Sequence, residues 1–190
     1  MCVEKKLYIK NMVSASCKML VKTALDEMGI SYKTIDLGEV EFEDSIDTAK
    51  LQLLKNRLLK WGLVVLDDHR AILVEQIKVT IIDMVHYRDE YPDLKHSVYI
   101  SEKLHKNYTY LSNLFSEVKG IKLESFIIQH KIEKVKELIL YNELSLTEIA
   151  YKLNYSSSAH LSNQFKKITG LTPSFFKKLK QKRLRPLEEL

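Results

Sequence analysis

Residues 161–170 read LSNQFKKITG, and fifty residues earlier 111–120 read LSNLFSEVKG, with Leu, Ser, Asn, Phe and Gly in the same places. In both copies Leu and Phe stand four apart, on one face of a helix, and a Gly follows where such a helix ends. The chain is therefore built, over this stretch, from two copies of one helical unit. The Leu and Phe serve a core. The repeated Ser-Asn pair needs another reason, because a packed bundle has no need to keep the same two short polar residues on its outer face twice.

The second copy is the better preserved. SLTEIAYKLN at 145–154 opens with Ser145 and Glu148 at capping-box spacing. It places Ile149, Ala150 and Leu153 on one face and ends at Asn154, a residue type that tolerates the left-handed backbone of a tight turn. The next helix keeps Leu161, Phe165 and Ile168 inward and leaves Ser158, Ala159, Ser162, Asn163 and Lys166 outside. Such a pair is a helix-turn-helix, whose second helix can enter a major groove and meet base edges with short polar side chains. In the first copy Ile100 and Leu104 precede the turn, Leu111 and Phe115 follow it, and Thr109, Tyr110, Ser112 and Asn113 face outward.

Between the copies, Glu124 to Tyr141 carries Phe126, Ile127, Ile132, Val135, Leu138 and Ile139 at helical spacing, with Lys131, Glu133, Lys134 and Lys136 largely outside. A long linker helix would set two reading helices on successive major-groove segments of one DNA side, about 34 Å apart. Lys166, Lys167 and the run KKLKQKR at 177–183 would touch phosphates, which position without specifying. The charge agrees: residues 1–90 hold 13 Lys and Arg against 15 Asp and Glu, and residues 91–190 hold 17 against 10. A polyanion belongs on the second half.

On these residues, and above all on FKKITGLTPSFFKK at 165–178, the segment from about 72 to 185 resembles the DNA-binding domain of AraC-type transcription regulators. The resemblance implies that the Phe packs, that the Gly ends the recognition helix and that Thr-Pro-Ser starts the last helix. It implies double-stranded DNA as partner, with RNA polymerase as a further one. The chain departs from the family pattern: Asn154 stands where Gly is usual, Tyr155 where Phe is, Ser157 where Asp is common, His160-Leu161 for an aromatic pair, and Asn163 for a frequent Arg. The base sequence read by the second helix is therefore not legible.

The first half has a different period. KLYIKNM alternates Leu7 and Ile9 against charge, and Cys17, Leu20, Val21, Ala24, Leu25 and Met28 follow at helical spacing, closed by Gly29. Two short alternating runs then meet at Leu37-Gly38-Glu39, before a second amphipathic helix ending at Gly62 and a last strand, LVVLDD. The order is βαββαβ, the ferredoxin-like arrangement, with Trp61 expected in its core. In this order and in NMVSASCK the segment resembles the heavy-metal-associated domain, whose loop is Met-x-Cys-x-x-Cys. Met12 and Cys17 match, but Ser14 holds the first Cys position. A soft monovalent metal wants two thiolates; Cys2 is the chain's other Cys. Metal binding through Met12 and Cys17, a structural or dimerising domain without metal, and a site for another ligand or partner all stay open.

The expected fold class is α+β: a ferredoxin-like βαββαβ domain over 1–70, then an all-α AraC-type domain over 71–190 with two helix-turn-helix motifs joined by a long linker helix. The expected function is a sequence-specific, bacterial-type transcription regulator, a homodimer through its first domain being an option. The alternatives are a metal-handling or redox interaction protein and a weakly specific architectural DNA binder. No Gly-rich phosphate loop, paired-carboxylate or nucleophile-base pattern stands out, so neither enzyme activity nor a cofactor is expected. Without a bilayer-length apolar run or a leader-like start, the expected setting is cytoplasmic.

Overall fold

The computed structural model describes residues 5–88 and 95–183, with the backbone alone for 180–183. Strand β1 (Lys6–Lys10), helix α1 (Ala15–Glu27), strands β2 (Tyr32–Asp36) and β3 (Glu39–Phe42), helix α2 (Thr48–Leu59) and strand β4 (Val64–Leu66) come first. The strands form one sheet in the order β2-β3-β1-β4, with every neighbouring pair antiparallel. The βαββαβ order is thus present. Alternation along β1 sends Leu7 and Ile9 into the core, where they meet Val40 and Phe42 of β3, Val21 and Leu25 of α1, and Leu51, Leu54 and Leu58 of α2. Removing these side chains from water is the main force that closes the helices onto one face of the sheet.

Trp61 is not part of that core; it is 38% exposed. The inward positions of α2 end at Leu58, and the chain then turns through Gly62, at φ +75°, before Leu63 returns inside. The indole is left in the turn, beneath the Arg57 guanidinium at 5.7 Å from the ring centre.

Helix α3 (His69–Ile82) starts at an Asp68 cap, so the boundary drawn at residue 70 falls in its first turn. It runs into a π-helical turn, Asp83–Tyr87. Then come α4 (His96–Leu104), α5 (Tyr108–Lys119), α6 (Leu123–Tyr141), α7 (Leu146–Lys152), α8 (Ser158–Thr169) and α9 (Pro173–Arg183). Two separate cores hold these helices. Leu73, Ile77 and Ile81 of α3 pack with Ile100, Leu111, Phe115, Leu123 and Ile127. Ile132, Val135 and Ile139 pack with Ile149, Ala150, Leu153, Leu161 and Phe165. Helix α6 belongs to both: its first half completes one core and its second half the other.

Two inward-outward expectations fail here. Ile168 is 46% exposed, and Val118, fifty residues earlier, is 47% exposed. Ile168 lies in the last turn of α8, one turn past Phe165, where the seven-residue α7 no longer covers it. Lys131, expected outside, is half-buried with its ammonium 4.2 Å from the centre of the Tyr155 ring. Burial there pulls its pKa down to about 8.

Contacts tie the sheet to α3 and its π turn. The Asn11 backbone N–H donates to Glu75 Oε1 at 3.0 Å, and the Tyr87 hydroxyl donates to the Val13 carbonyl at 3.0 Å. Gly38, at φ +76°, sits so close to α3 that an added Cβ would lie 2.9 Å from Val79 Cγ2.

Candidate nucleic-acid interface

Each of the two repeated units is a short helix, a tight turn and a longer helix. In the first, α4 ends at His105, at φ +51°, with the Lys106 N–H donating to the Ser101 carbonyl at 3.2 Å. Asn107 then caps α5, its Oδ1 accepting from Thr109 N–H at 2.8 Å and Tyr110 N–H at 3.4 Å. In the second, α7 opens with the reciprocal box expected from the spacing: Ser145 N–H to Glu148 Oε2 at 2.7 Å, and Glu148 N–H to Ser145 Oγ at 3.3 Å. It ends with Tyr155 N–H donating to the Ala150 carbonyl at 2.8 Å, around Asn154 at φ +52°. Ser157 caps α8 by accepting from His160 N–H at 3.1 Å.

The turns use the same hydrogen bonds but differ in length. One residue separates His105 from Asn107, and two separate Asn154 from Ser157. The fifty-residue register therefore holds for the second helices and slips by one for the first.

Of the anticipated DNA-contacting residues, Thr109, Tyr110 and Asn113 on α5 and Ala159, Asn163, Lys166 and Lys167 on α8 are exposed. Ser112, Ser158 and Ser162 are half-buried, at the edge between the core and the outer face. The Ser162 hydroxyl donates to the Ser158 carbonyl at 2.8 Å, so it offers acceptor lone pairs and no hydrogen.

His160, expected near DNA or packed beside Leu161, is exposed and occupies on α8 the place that Tyr110 has on α5. Its Nδ1 lies 3.0 Å from Ser156 Oγ and its ring is edge-on to Tyr155, centroids 5.3 Å apart. The Tyr155 hydroxyl in turn donates to Gln164 Oε1 at 2.7 Å. This train fixes the imidazole from behind and leaves Nε2 as its second polar edge.

The two units differ in charge. In α5 Glu117 pairs with Arg70 of α3 at 2.6 Å, whereas α8 ends in Lys166 and Lys167 with no acid in its sequence. Lys177 is half-buried and Lys178 exposed at the start of the closing basic run; the side chains of Lys180, Lys182 and Arg183 lie outside the described residues.

The other candidate residues, Met12 and Cys17, lie in and against the first core. Met12 is fully buried in the first core. Cys17 Sγ lies 3.1 Å from Ser14 Oγ, which donates to it, and 3.7 Å from the Asn11 carbonyl. Cys2 lies outside the described residues. Among the described residues no group of three or more His, Cys, Asp or Glu could hold a metal ion, and no helix is long and apolar enough to cross a membrane.

Residues 100–179, which run from the second half of α4 into α9 and so take in most of the first unit and all of the second, match the family model described as a helix-turn-helix domain. The chain is 29% identical over 82 residues, 43% of its length, to the Uncharacterized HTH-type transcriptional regulator YtdP of Bacillus subtilis (strain 168), and covers 11% of that protein. Over 165 residues, 80% of its length, it is 24% identical to the Probable transcriptional regulator LumQ of Photobacterium leiognathi, covering 64% of it. It thus spans less than two thirds of either curated relative. Among solved structures, the C-terminal domain of AraT, a response regulator from Geobacillus stearothermophilus, aligns with 59% of this chain and 88% of its own length, at 26% identity and a TM-score of 0.49.

Proposed function

We propose that this chain is a sequence-specific DNA-binding transcription regulator of the AraC type, which lays α5 and α8 into successive major-groove segments of one duplex. One observation carries the reading: the segment matched as a helix-turn-helix domain spans the second helices of two such units, α5 and α8, each with an exposed polar side, joined by the single continuous helix α6. Thr109, Tyr110 and Asn113 on α5, and Ala159, His160 and Asn163 on α8, are the residues for base edges. Ser112, Ser158 and Ser162 border them as acceptors and spacers. Lys166 and Lys167 neutralise phosphates, so the second unit supplies the larger electrostatic share. The first domain is ferredoxin-like, a reading its β2-β3-β1-β4 order supports, and acts on α3 and its π-helical turn through the contacts at Asn11, Gly38 and Tyr87. A homodimer through this domain and an encounter with RNA polymerase belong to the same proposal.

The test is a binding selection of the whole chain on random duplex DNA. The expected product is a motif of two elements about one helical turn apart. Asn163→Ala should relax preference within one element only, by about 1–3 kcal/mol for the base it reads. Tight, salt-sensitive binding with no enriched motif would replace this reading with that of an architectural binder. Absence of duplex binding would overturn both.

A further inference from the structure

We propose that the cavity between the sheet and α3 is a binding site for a small organic cation, an amine carried on an apolar or aromatic body. The cavity encloses about 470 Å³, the size of a small-molecule site. The sheet gives one wall, through Tyr8 and the β2–β3 turn, and α3 the other, through Ile72, Val79 and Thr80. Leu37, Leu104 and the Tyr87 ring complete its apolar part.

The polar lining selects the sign of the ligand. Four carboxylates, Asp36, Glu39, Glu75 and Asp83, face two ammonium groups, Lys18 and Lys103. Glu75 is already engaged, by the Asn11 N–H and by Lys78 at 2.9 Å, and Asp83 by Arg88 at 3.1 Å. Asp36 and Glu39 are different. Their ion-pair partners, Lys18 at 3.8 Å and Lys6 at 3.6 Å, stand beyond hydrogen-bond reach. The buried Thr80 hydroxyl spends its hydrogen on the Gln76 carbonyl at 2.8 Å and presents lone pairs only. Carboxylates outnumber ammonium groups along the lining by four to two. A primary ammonium brings three donors and a positive charge to Asp36 and Glu39, while its body displaces water from the apolar wall. An anion of the same shape meets four carboxylates against two ammonium groups.

The place of the cavity gives binding a consequence. Lys103 and Leu104 end α4, the first helix of the first helix-turn-helix unit, so a ligand touching them and the sheet fixes that unit against the first domain. This coupling rests on the DNA-binding reading; the binding itself does not.

The experiment is calorimetry and thermal shift on the whole chain with butylamine, 1,4-diaminobutane and 2-phenylethylamine, using 2-phenylethanol and phenylacetate as neutral and anionic counterparts. At least one amine should bind, and each counterpart should bind at least about tenfold more weakly than the amine it mimics. The double variant Asp36→Asn/Glu39→Gln should weaken amine binding by about tenfold or more, and Ala15→Trp, on the cavity rim, should block it by size. Binding of no amine, equal binding of 2-phenylethanol, or unchanged affinity in both variants would overturn the proposal. Fluorescence anisotropy on a duplex, with and without the amine, reads the coupling separately. Amine binding that leaves duplex affinity unaltered would uphold the site and refute the coupling. Amine binding by a chain that binds no duplex at all would uphold the site and overturn the DNA-binding reading.

Discussion

Replacing Lys166 and Lys167 together by Ala isolates the electrostatic share of the second unit. Both side chains are exposed at the end of α8, and neither contributes to the core built on Leu161 and Phe165. Each phosphate neutralised by a cation contributes about 0.9 to the slope of log K against log salt. Removing two should flatten that slope by about 1.8. Over a fourfold rise in salt, from about 50 to about 200 mM, 4 raised to 1.8 is about 12, so the variant should lose about twelvefold less affinity than the parent. Fluorescence anisotropy on one duplex at three or four salt concentrations reads this directly. Lys50→Ala/Lys60→Ala, on the exposed side of α2, removes the same charge far from α8 and serves as the control. An unchanged slope in the α8 variant, or an equal flattening in the control, would refute the placement of Lys166 and Lys167 on the phosphates.

Phe165→Ala should cost about 3–5 kcal/mol, because the ring is fully buried and covered by Phe176 at 5.6 Å between centroids; a urea midpoint unchanged from the parent would contradict the second core. Gly38→Ala should destabilise by about 1–3 kcal/mol, from a left-handed backbone and a Cβ pressed on Val79; a neutral melting temperature would mean that α3 does not bear on the β2–β3 turn. Burial, with His86 beside it at 3.2 Å, lowers the His130 pKa to about 4, and burial lowers His86 as well. Between about 4 and about 6.5 the unfolded chain binds more protons than the folded one, so this contribution is complete above about 6.5 and lost as pH falls toward 4. Urea midpoints at pH 7 and pH 5 should differ less in His130→Leu than in the parent, and an equal difference would count against the pair.

The order of elements was legible because two periods sit side by side in this chain. Leu7 and Ile9 alternate, while Leu111 with Phe115 and Leu161 with Phe165 recur at four, and nothing in the packing overrides either signal. The turns were legible where one residue decides them, as at Asn154 and Gly38. Exposure at helix ends was not. Ile168 satisfies the inward spacing of α8 and Trp61 follows the last inward turn of α2, yet both lie past the reach of a neighbouring helix, and periodicity carries no information on where a neighbour stops. Ser162 fits an outward position by angle, but a half-buried hydroxyl beside a helix carbonyl bonds to the backbone first. The cavity beside α3 was invisible for another reason: Asp36, Thr80 and Lys103 are brought together by contacts between residues far apart in the chain, such as Gly38 with Val79 and Asn11 with Glu75, which leave no local trace.

Helix α6 also acts as a gauge. At about 100° per residue, the side carrying Leu123 and Ile127 and the side carrying Ile132, Val135 and Ile139 lie about 130° apart around its axis. One residue inserted between Ile127 and Ile132 would turn the second core by about 100° and advance it by only about 1.5 Å. Seven inserted residues restore the phase but advance it by about 10.5 Å, close to three base pairs at about 3.4 Å each, which on the proposed reading would point α8 at a different face of the duplex. The pitch of the protein helix and the pitch of DNA are thus not commensurate over short steps. On the proposed DNA-binding reading, the spacing between the two elements of a target is locked by this one segment.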